Sequence, residues 1–297
     1  MIDIKNCRKP QLQETASIAC QGVEGAYSQL AANALFQNPD LMYMRTFDGV
    51  FRAVNNRLCR YGVLPLENSN AGSVTDVYDL MKTNKFFIVR SVKVSISHML
   101  LQKKKTSIEK IKEIYTHEQA VRQCSKFLEQ NNHIKINLFA NTAAAAQFVA
   151  ESERTDIAAI ASANCIQLYN LTASSKNIQN NNNNYTRFIC ISKECEIFDN
   201  ADKISLMLSL ENKAGALYEV IKQFAERNLN LIKLESRPIA DTDFEFMFYF
   251  DVQANIENEG VYDLLLQLKE STKQLAFLGN YSEIKYTPNF APVNPIM

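Results

Sequence analysis

The chain has 297 residues, 46% of them hydrophobic, and 32 basic side chains balance 32 acidic ones. A neutral sum argues against nucleic acid or a membrane surface as partner, although a small anion needs only a locally positive cleft. The polar start MIDIKNCRKPQLQETAS has no apolar signal core, and no stretch approaches the roughly 20 apolar residues of a membrane span, so a soluble cytoplasmic protein is expected.

Short apolar runs alternate with helix-like stretches over the first two thirds of the chain. SIAC (17–20) leads through the turn QGVEG into a helix over about 26–37. YGVLPL (61–66) leads into a helix over about 73–83, and KVSISHMLL (93–101) alternates as one strand. EIYTH (113–117) precedes the helix EQAVRQCSKFLEQ, where Ala120, Cys124, Phe127 and Leu128 share a face. INLFA (136–140) feeds TAAAAQFVAES, and DIAAIAS (156–162) feeds CIQLYNL. Repeated strand-turn-helix units predict an α/β domain with largely parallel sheets, whose ligands bind beyond the carboxyl ends of strands. The run Asn180 to Asn184 reads as a flexible surface loop before the strand RFICIS. A charged linker, KECEIFDNADK (193–203), places a domain boundary near residue 200. Beyond it the order is β-α-β-β-α-β, the pattern of a ferredoxin-like module.

Seven cysteines, at 7, 20, 59, 124, 165, 190 and 195, are scattered without a CxxC pair. They are expected as buried, reduced thiols acting as small hydrophobes. The histidines 98, 117 and 133 lack ligand spacing, so neither a metal nor a cofactor is expected.

The polar residues at strand ends are the candidates for chemistry. Gly22 and Gly25 flank a turn that opens a helix with Tyr27 and Ser28, which suits an anion at a helix start but also an ordinary βα turn. Glu67, Asn68, Ser69 and Asn70 crowd one strand end, as a ligand site or as a capped loop. Thr116, His117 and Gln119 end another strand, with His117 either a proton donor or a cap. Asn141 and Thr142 end a third, where Thr142 also reads as an N-cap. Arg187, between Thr186 and Phe188, suits a carboxylate held by two parallel hydrogen bonds, or is a surface cation.

GVEGAYSQLAA, YGVLPLENSNAGSVTDVYDLM, THEQA, NTAAA and NYTRF resemble, in order and approximate spacing, the motifs of prephenate dehydratases. AGALYEV and LESRP resemble the effector segments of the ACT module that follows in that family. The resemblance runs from about 17 to 287. It implies a two-lobed catalytic domain like the periplasmic binding proteins (17–199) behind an N-terminal extension (1–16). It also implies an ACT domain (200–290) and a tail (291–297). By the same resemblance the reaction is loss of CO₂ and water from prephenate to give phenylpyruvate, toward phenylalanine. Thr186 would assist the departing hydroxyl, and Arg187 would anchor a carboxylate. Gly25, Tyr27, Ser28, Glu67, Asn68, Ser69, Thr116, His117, Gln119, Asn141, Thr142, Ala143 and Phe188 would surround the substrate. Ala214, Gly215, Ala216 and Leu217, with Glu235, Ser236, Arg237 and Pro238, would surround phenylalanine at a subunit interface. A monofunctional, feedback-inhibited dimer or tetramer is expected. The sequence departs from the family pattern at Ser91, Glu118 and Asn141, outside the TRF core. An arogenate dehydratase and a non-catalytic amino-acid sensor are the rival readings.

Overall fold

Residues 7–10, 15–103, 107–175, 177–239 and 245–288 are described by a computed structural model. The chain opens with β1 (Thr15–Gln21), in which Ile18, Ala19 and Cys20 are fully buried, as suits a strand covered on both faces. Then come α1 (Tyr27–Leu35), β2 (Asn38–Met44), α2 (Phe47–Asn55), β3 (Tyr61–Asn68), β4 (Gly72–Ser73), α3 (Thr75–Thr83) and β5 (Phe87–Ser95). A second group follows: β6 (Met99–Gln102), β7 (Glu113–Thr116), α4 (Glu118–Gln123), α5 (Ser125–Gln130), β8 (Lys135–Leu138) and α6 (Thr142–Glu151). It ends with β9 (Ile157–Ala161), α7 (Asn164–Leu168) and β10 (Thr172–Ser175), and the chain returns as β11 (Tyr185–Ser192). The C-terminal part comprises β12 (Lys203–Ser209), α8 (Ala216–Ala225), β13 (Asn230–Pro238), β14 (Phe246–Gln253), α9 (Val261–Ser271), β15 (Gln274–Tyr281) and β16 (Glu283–Tyr286).

These strands form three sheets. The first has the order β16-β5-β11-β3-β1-β2 with β4 beside β3, the second β10-β6-β9-β7-β8, and the third β13-β14-β12-β15. The first two are lobes of one mixed α/β domain, and the chain crosses between them where β5 passes to β6 and β10 passes to β11. The sequence KVSISHMLL is therefore not one strand: it breaks at 96–98, where the chain changes lobe, and His98 sits at the break. The predicted helix over 118–130 is likewise two helices meeting at Cys124. Sequence reading missed β2 and α2, although Val50, Phe51 and Val54 stand at helical spacing in α2.

The third sheet is not a separate bead. Val50, Phe51 and Val54 from α2 pack with Leu64, Ile189 and Ile191, and that core continues into Tyr249, Leu278 and Tyr281 of the C-terminal strands. Each such large side chain contributes about 1.5–3 kcal/mol by leaving water. Gly279 has φ +154°, and a Cβ there would lie 2.0 Å from the carbonyl oxygen of Ile88, so β15 rests directly on the β5 backbone. Residues 283–286, placed by sequence in the C-terminal module, extend the first sheet, pairing in parallel with β5.

Two local readings are corrected. Cys7 and Cys195 form a disulfide, while Cys20, Cys59, Cys124, Cys165 and Cys190 are free and buried. A short parallel bridge of Arg8 with Glu196 brings the two together, a proximity that a separation of 188 residues hides. The asparagine run is also not a plain surface loop, because Asn184 is fully buried and hydrogen-bonds across to β3. No helix among the described residues is long and apolar enough to cross a membrane.

Candidate active site

The two lobes face each other across a cavity of about 430 Å³. The first lobe lines it with Gln21, Tyr27, Ser28, Pro65, Asn68, Ile96, Thr186 and Phe188. The second supplies His98, His117, Gln119, Gln123, Asn141 and Thr142. Among the described residues that line it, none is lysine or arginine. Positive potential comes instead from the starts of α1, α4 and α6, whose first-turn residues form its walls.

At the centre lies Thr186. Asn68 Nδ2 donates to Thr186 Oγ1 at 3.0 Å and to Asn184 Oδ1 at 2.8 Å. The Asn68 amide cannot be reversed, because its Oδ1 accepts from the backbone N–H groups of Asn70 and Ala71. Thr186 Oγ1 is thus an acceptor toward Asn68, and its own proton is left to point into the cavity. A register shift places Leu66 opposite no partner between the pairs Arg187–Glu67 and Phe188–Pro65. This extra residue lets Pro65 and Asn68, three apart on one strand, both face the cavity.

Around this pair are polar groups in want of a partner. His98 is buried, and its Nε2 lies 2.8 Å from Gln123 Oε1. His98 Nδ1, Gln123 Nε2 and Asn184 Nδ2 are buried without a hydrogen-bond partner among the described residues. Such groups are costly unless a ligand or water completes them. Burial pushes the His98 imidazole below its usual range against the opposing Gln123 hydrogen bond, keeping it neutral. Burial also lowers His117. His117 Nδ1 accepts from Gln119 N and caps α4, so the proton of its neutral form sits on Nε2. Asn141, not Thr142, is the cap of α6, accepting from Ala144 N at 2.8 Å.

Several expected site residues lie elsewhere. Arg187 does not enter the cavity. Neighbours on a strand face opposite ways, so Thr186 in the cleft turns Arg187 to the back of the sheet. There it is buried among Glu67, Asp251, Glu283 and Tyr281. Glu67 follows the same rule beside Asn68 and meets Arg187 and Lys233. Thr116 is fully buried and donates to Ile160 O, tying β7 to β9. Ser69 bonds to Tyr185 and Asn183 outside the cavity. Gly25 packs against Leu168 and Cys165, and Ala143 is buried in the second lobe's core. The cavity therefore unites Tyr27, Ser28, Asn68, His117, Gln119, Asn141, Thr142, Thr186 and Phe188 of the expected set. It adds His98 and Gln123, for which local spacing carried no signal, while Asn184 of NYTRF lies buried behind Asn68 and lines a neighbouring pocket.

In the C-terminal part, Gly215 has φ +83° and starts α8, with Ala214 before it; Ala216 and Leu217 lean on the module's core. Along β13, Glu235 accepts from Ser73 Oγ at 2.8 Å and Arg237 meets Asp79 at 3.1 Å. Pro238 O accepts from Lys82, while Ser236 is exposed.

The model of the family described as prephenate dehydratase matches residues 18–196. The chain belongs to the prephenate dehydratase family. It is 35% identical to a bifunctional chorismate mutase/prephenate dehydratase of Enterobacter agglomerans, over 98% of this chain and 76% of that one. It is 34% identical to arogenate dehydratase 2 of Petunia hybrida, over 89% and 71%. Among solved structures, the prephenate dehydratase of Arthrobacter aurescens in complex with L-Phe matches with a TM-score of 0.82 and 26% identity, covering 90% of this chain and 89% of that one. GqqA, described as a quorum quenching acylase, matches with a TM-score of 0.81 and 27% identity over 90% and 98%. The prephenate dehydratases among these relatives are lyases, and the two-lobed mixed α/β domain is theirs.

Proposed function

We propose that the chain converts prephenate to phenylpyruvate in the cavity between the lobes, and that phenylalanine bound to an ACT module formed by β12 to β15 restrains it. One observation carries the reading: the Thr186 hydroxyl, fixed as an acceptor by Asn68, offers its proton to a cavity whose lining includes the unpartnered Gln123 amide nitrogen and His98 ring nitrogen.

The chemistry needs such a donor. Decarboxylation sends an electron pair into the ring as the ring hydroxyl leaves, and hydroxide leaves poorly unless hydrogen-bonded or protonated. Threonine is a weak acid, so a hydrogen bond to the departing oxygen within a polar network is the role its position supports. Gln123 Nε2, held by His98 through Oε1, and the starts of α1 and α6 are donors for the two carboxylates. With no lysine or arginine among its described lining residues, the cavity does not clamp the carboxylate that must leave. Closure of the lobes would exclude water and strengthen each of these contacts.

The relative crystallised with L-Phe supports the regulatory half, as does Arg237, whose buried Nε lacks a partner among the described residues and suits an effector carboxylate. A dimer or tetramer through this module fits the exposed Ile232, Leu234 and Phe246 on β13 and β14. The petunia relative makes arogenate the alternative substrate.

The test is phenylpyruvate formation from prephenate by wild type and Thr186→Ala, with and without phenylalanine. Thr186→Ala should lower kcat about 10²–10⁴-fold with KM nearly unchanged, the range of a lost proton donor. Equal turnover by the mutant would refute the assignment. Turnover of arogenate instead of prephenate would move the reading to that substrate.

A further inference from the structure

Behind the reacting face, Arg187 makes contacts that binding and catalysis do not require. Its Nε lies 2.7 Å from Glu283, its Nη1 3.2 Å from Glu67, and its Nη2 donates to Tyr281 Oη at 2.7 Å. Nη1 also pairs with Asp251 at 2.5 Å. Ser205 joins Asp251 to Tyr281 through its hydroxyl. Two of these partners, Asp251 on β14 and Tyr281 on β15, belong to the third sheet, while Arg187 and Glu67 belong to the first. Arg187, Asp251, Ser205 and Tyr281 are buried, so the centre of the network sees little solvent and small displacements are strongly felt.

The register explains why this matters for chemistry. Thr186 pairs with Asn68, and the next pair is Arg187 with Glu67. The first pair faces the substrate cavity and the second faces the C-terminal module. Any shift of β14 or β15 pulls on Arg187, and through one peptide unit it moves the Thr186 hydroxyl against its acceptor contact with Asn68. We propose that Arg187 is a positioning residue, held by Asp251 and Tyr281, that transmits the state of the C-terminal module to Thr186. The regulatory half rests on the feedback reading above; the positioning half does not.

The probes are Tyr281→Phe, which removes one hydroxyl, and Asp251→Asn, which keeps the shape but removes a charge. Arg187→Lys supplies the conservative rescue. The full chain is assayed for kcat, KM and half-inhibiting phenylalanine, on whichever of prephenate and arogenate the wild type turns over, with melting curves alongside. Tyr281→Phe should keep a cooperative melt and a KM within about twofold, lower kcat about fivefold or more, and raise half-inhibiting phenylalanine by a similar factor, the size of a typical coupling. Arg187→Lys should recover part of the kcat lost in Arg187→Met. Variants that match wild type in kcat and inhibition would overturn the proposal. So would a raised KM at unchanged kcat, which marks a binding role. A wild type that turns over substrate but ignores phenylalanine sinks only the feedback reading, and the kcat-against-KM split still decides the positioning role. A wild type inactive on both substrates overturns the site assignment and this proposal with it.

Discussion

Asn68 and Thr186 meet across adjacent strands with the amide donating and the hydroxyl accepting, at 3.0 Å. The direction of that bond is set by the backbone, since Asn68 Oδ1 is held by the N–H groups of residues 70 and 71. Asn68→Asp is nearly the same size and still accepts those bonds, but has no N–H to give. Thr186 would then donate to the carboxylate, and its proton would be lost to the substrate. The expected result is a kcat lower by about 10²-fold or more in a protein that still melts cooperatively, at a somewhat lower temperature because the bonds to Asn184 and Tyr185 are lost too. Steady-state kinetics with a matched melting curve checks it. A kcat within a fewfold of wild type would mean that the hydroxyl direction is irrelevant.

The residues of this pair were legible in the sequence because polar groups bunched at strand ends are visible as letters. Their sides were not. LENSN and NYTRF each mix residues for the cavity with a residue for the back of the sheet, and only the actual register separates Asn68 from Glu67 and Thr186 from Arg187. Arg187 read from its residues as either a carboxylate anchor or a surface cation, and the family resemblance favoured the anchor. Its partners Asp251 and Tyr281 lie more than 60 residues further on and Glu67 lies 120 residues before it, beyond what local spacing can reveal. His98 was hidden for a different reason: it sits at the lobe crossing, inside a run that alternates like an unbroken strand.

Acid should strip stability from the same buried cluster. Burial alone would raise the Glu283 carboxyl, but the Arg187 charge and hydrogen bonds from Lys203 and Lys93 pull it down to about 2. An unfolded glutamate titrates near 4.3. A depressed folded pKa gives stability that is full above about pH 4.3 and lost as pH falls toward about 2, roughly 3 kcal/mol for this group. Glu67 is also lowered, Lys233 and Arg187 overcoming its burial, and acts in the same direction. Denaturant midpoints measured from pH 6 to pH 2.5 should fall, and Glu283→Gln should flatten that fall while lowering the plateau. A Glu283→Gln curve parallel to wild type would show that the carboxyl is not held in this way.

The Cys7–Cys195 bridge ties the amino-terminal segment to the stretch between β11 and β12, where Arg8 also pairs with Glu194. Denatured protein kept from reductant should titrate five thiols per chain, the number found free here, and seven after reduction. Breaking so long a loop should lower stability by about 2–5 kcal/mol. Cys7→Ser without reductant should match the reduced wild type, so a mutant as stable as the oxidised protein would leave the bridge without a structural role.

Gly279 offers the most direct test of how the C-terminal module is seated. Its backbone passes so close to β5 that a methyl group would overlap Ile88 O and crowd Ile88 C and N, at 2.0, 2.9 and 3.2 Å. Backbone atoms cannot rotate aside as a side-chain end can, and φ +154° is itself unfavourable for alanine. Gly279→Ala must therefore push β15 off β5, and Tyr281 and Leu278 lie two and one residues from the point of overlap, on the strand that meets Arg187 and the shared core. The expected outcome is a loss of about 3 kcal/mol or more in global stability, comparable to overpacking a core. Amide exchange should quicken in β5 and β15, while β7 and β9 of the second lobe keep their protection. Uniform quickening over both lobes would mean that the module's seating is not a local contact, and wild-type stability would mean that the close approach at Gly279 does not exist.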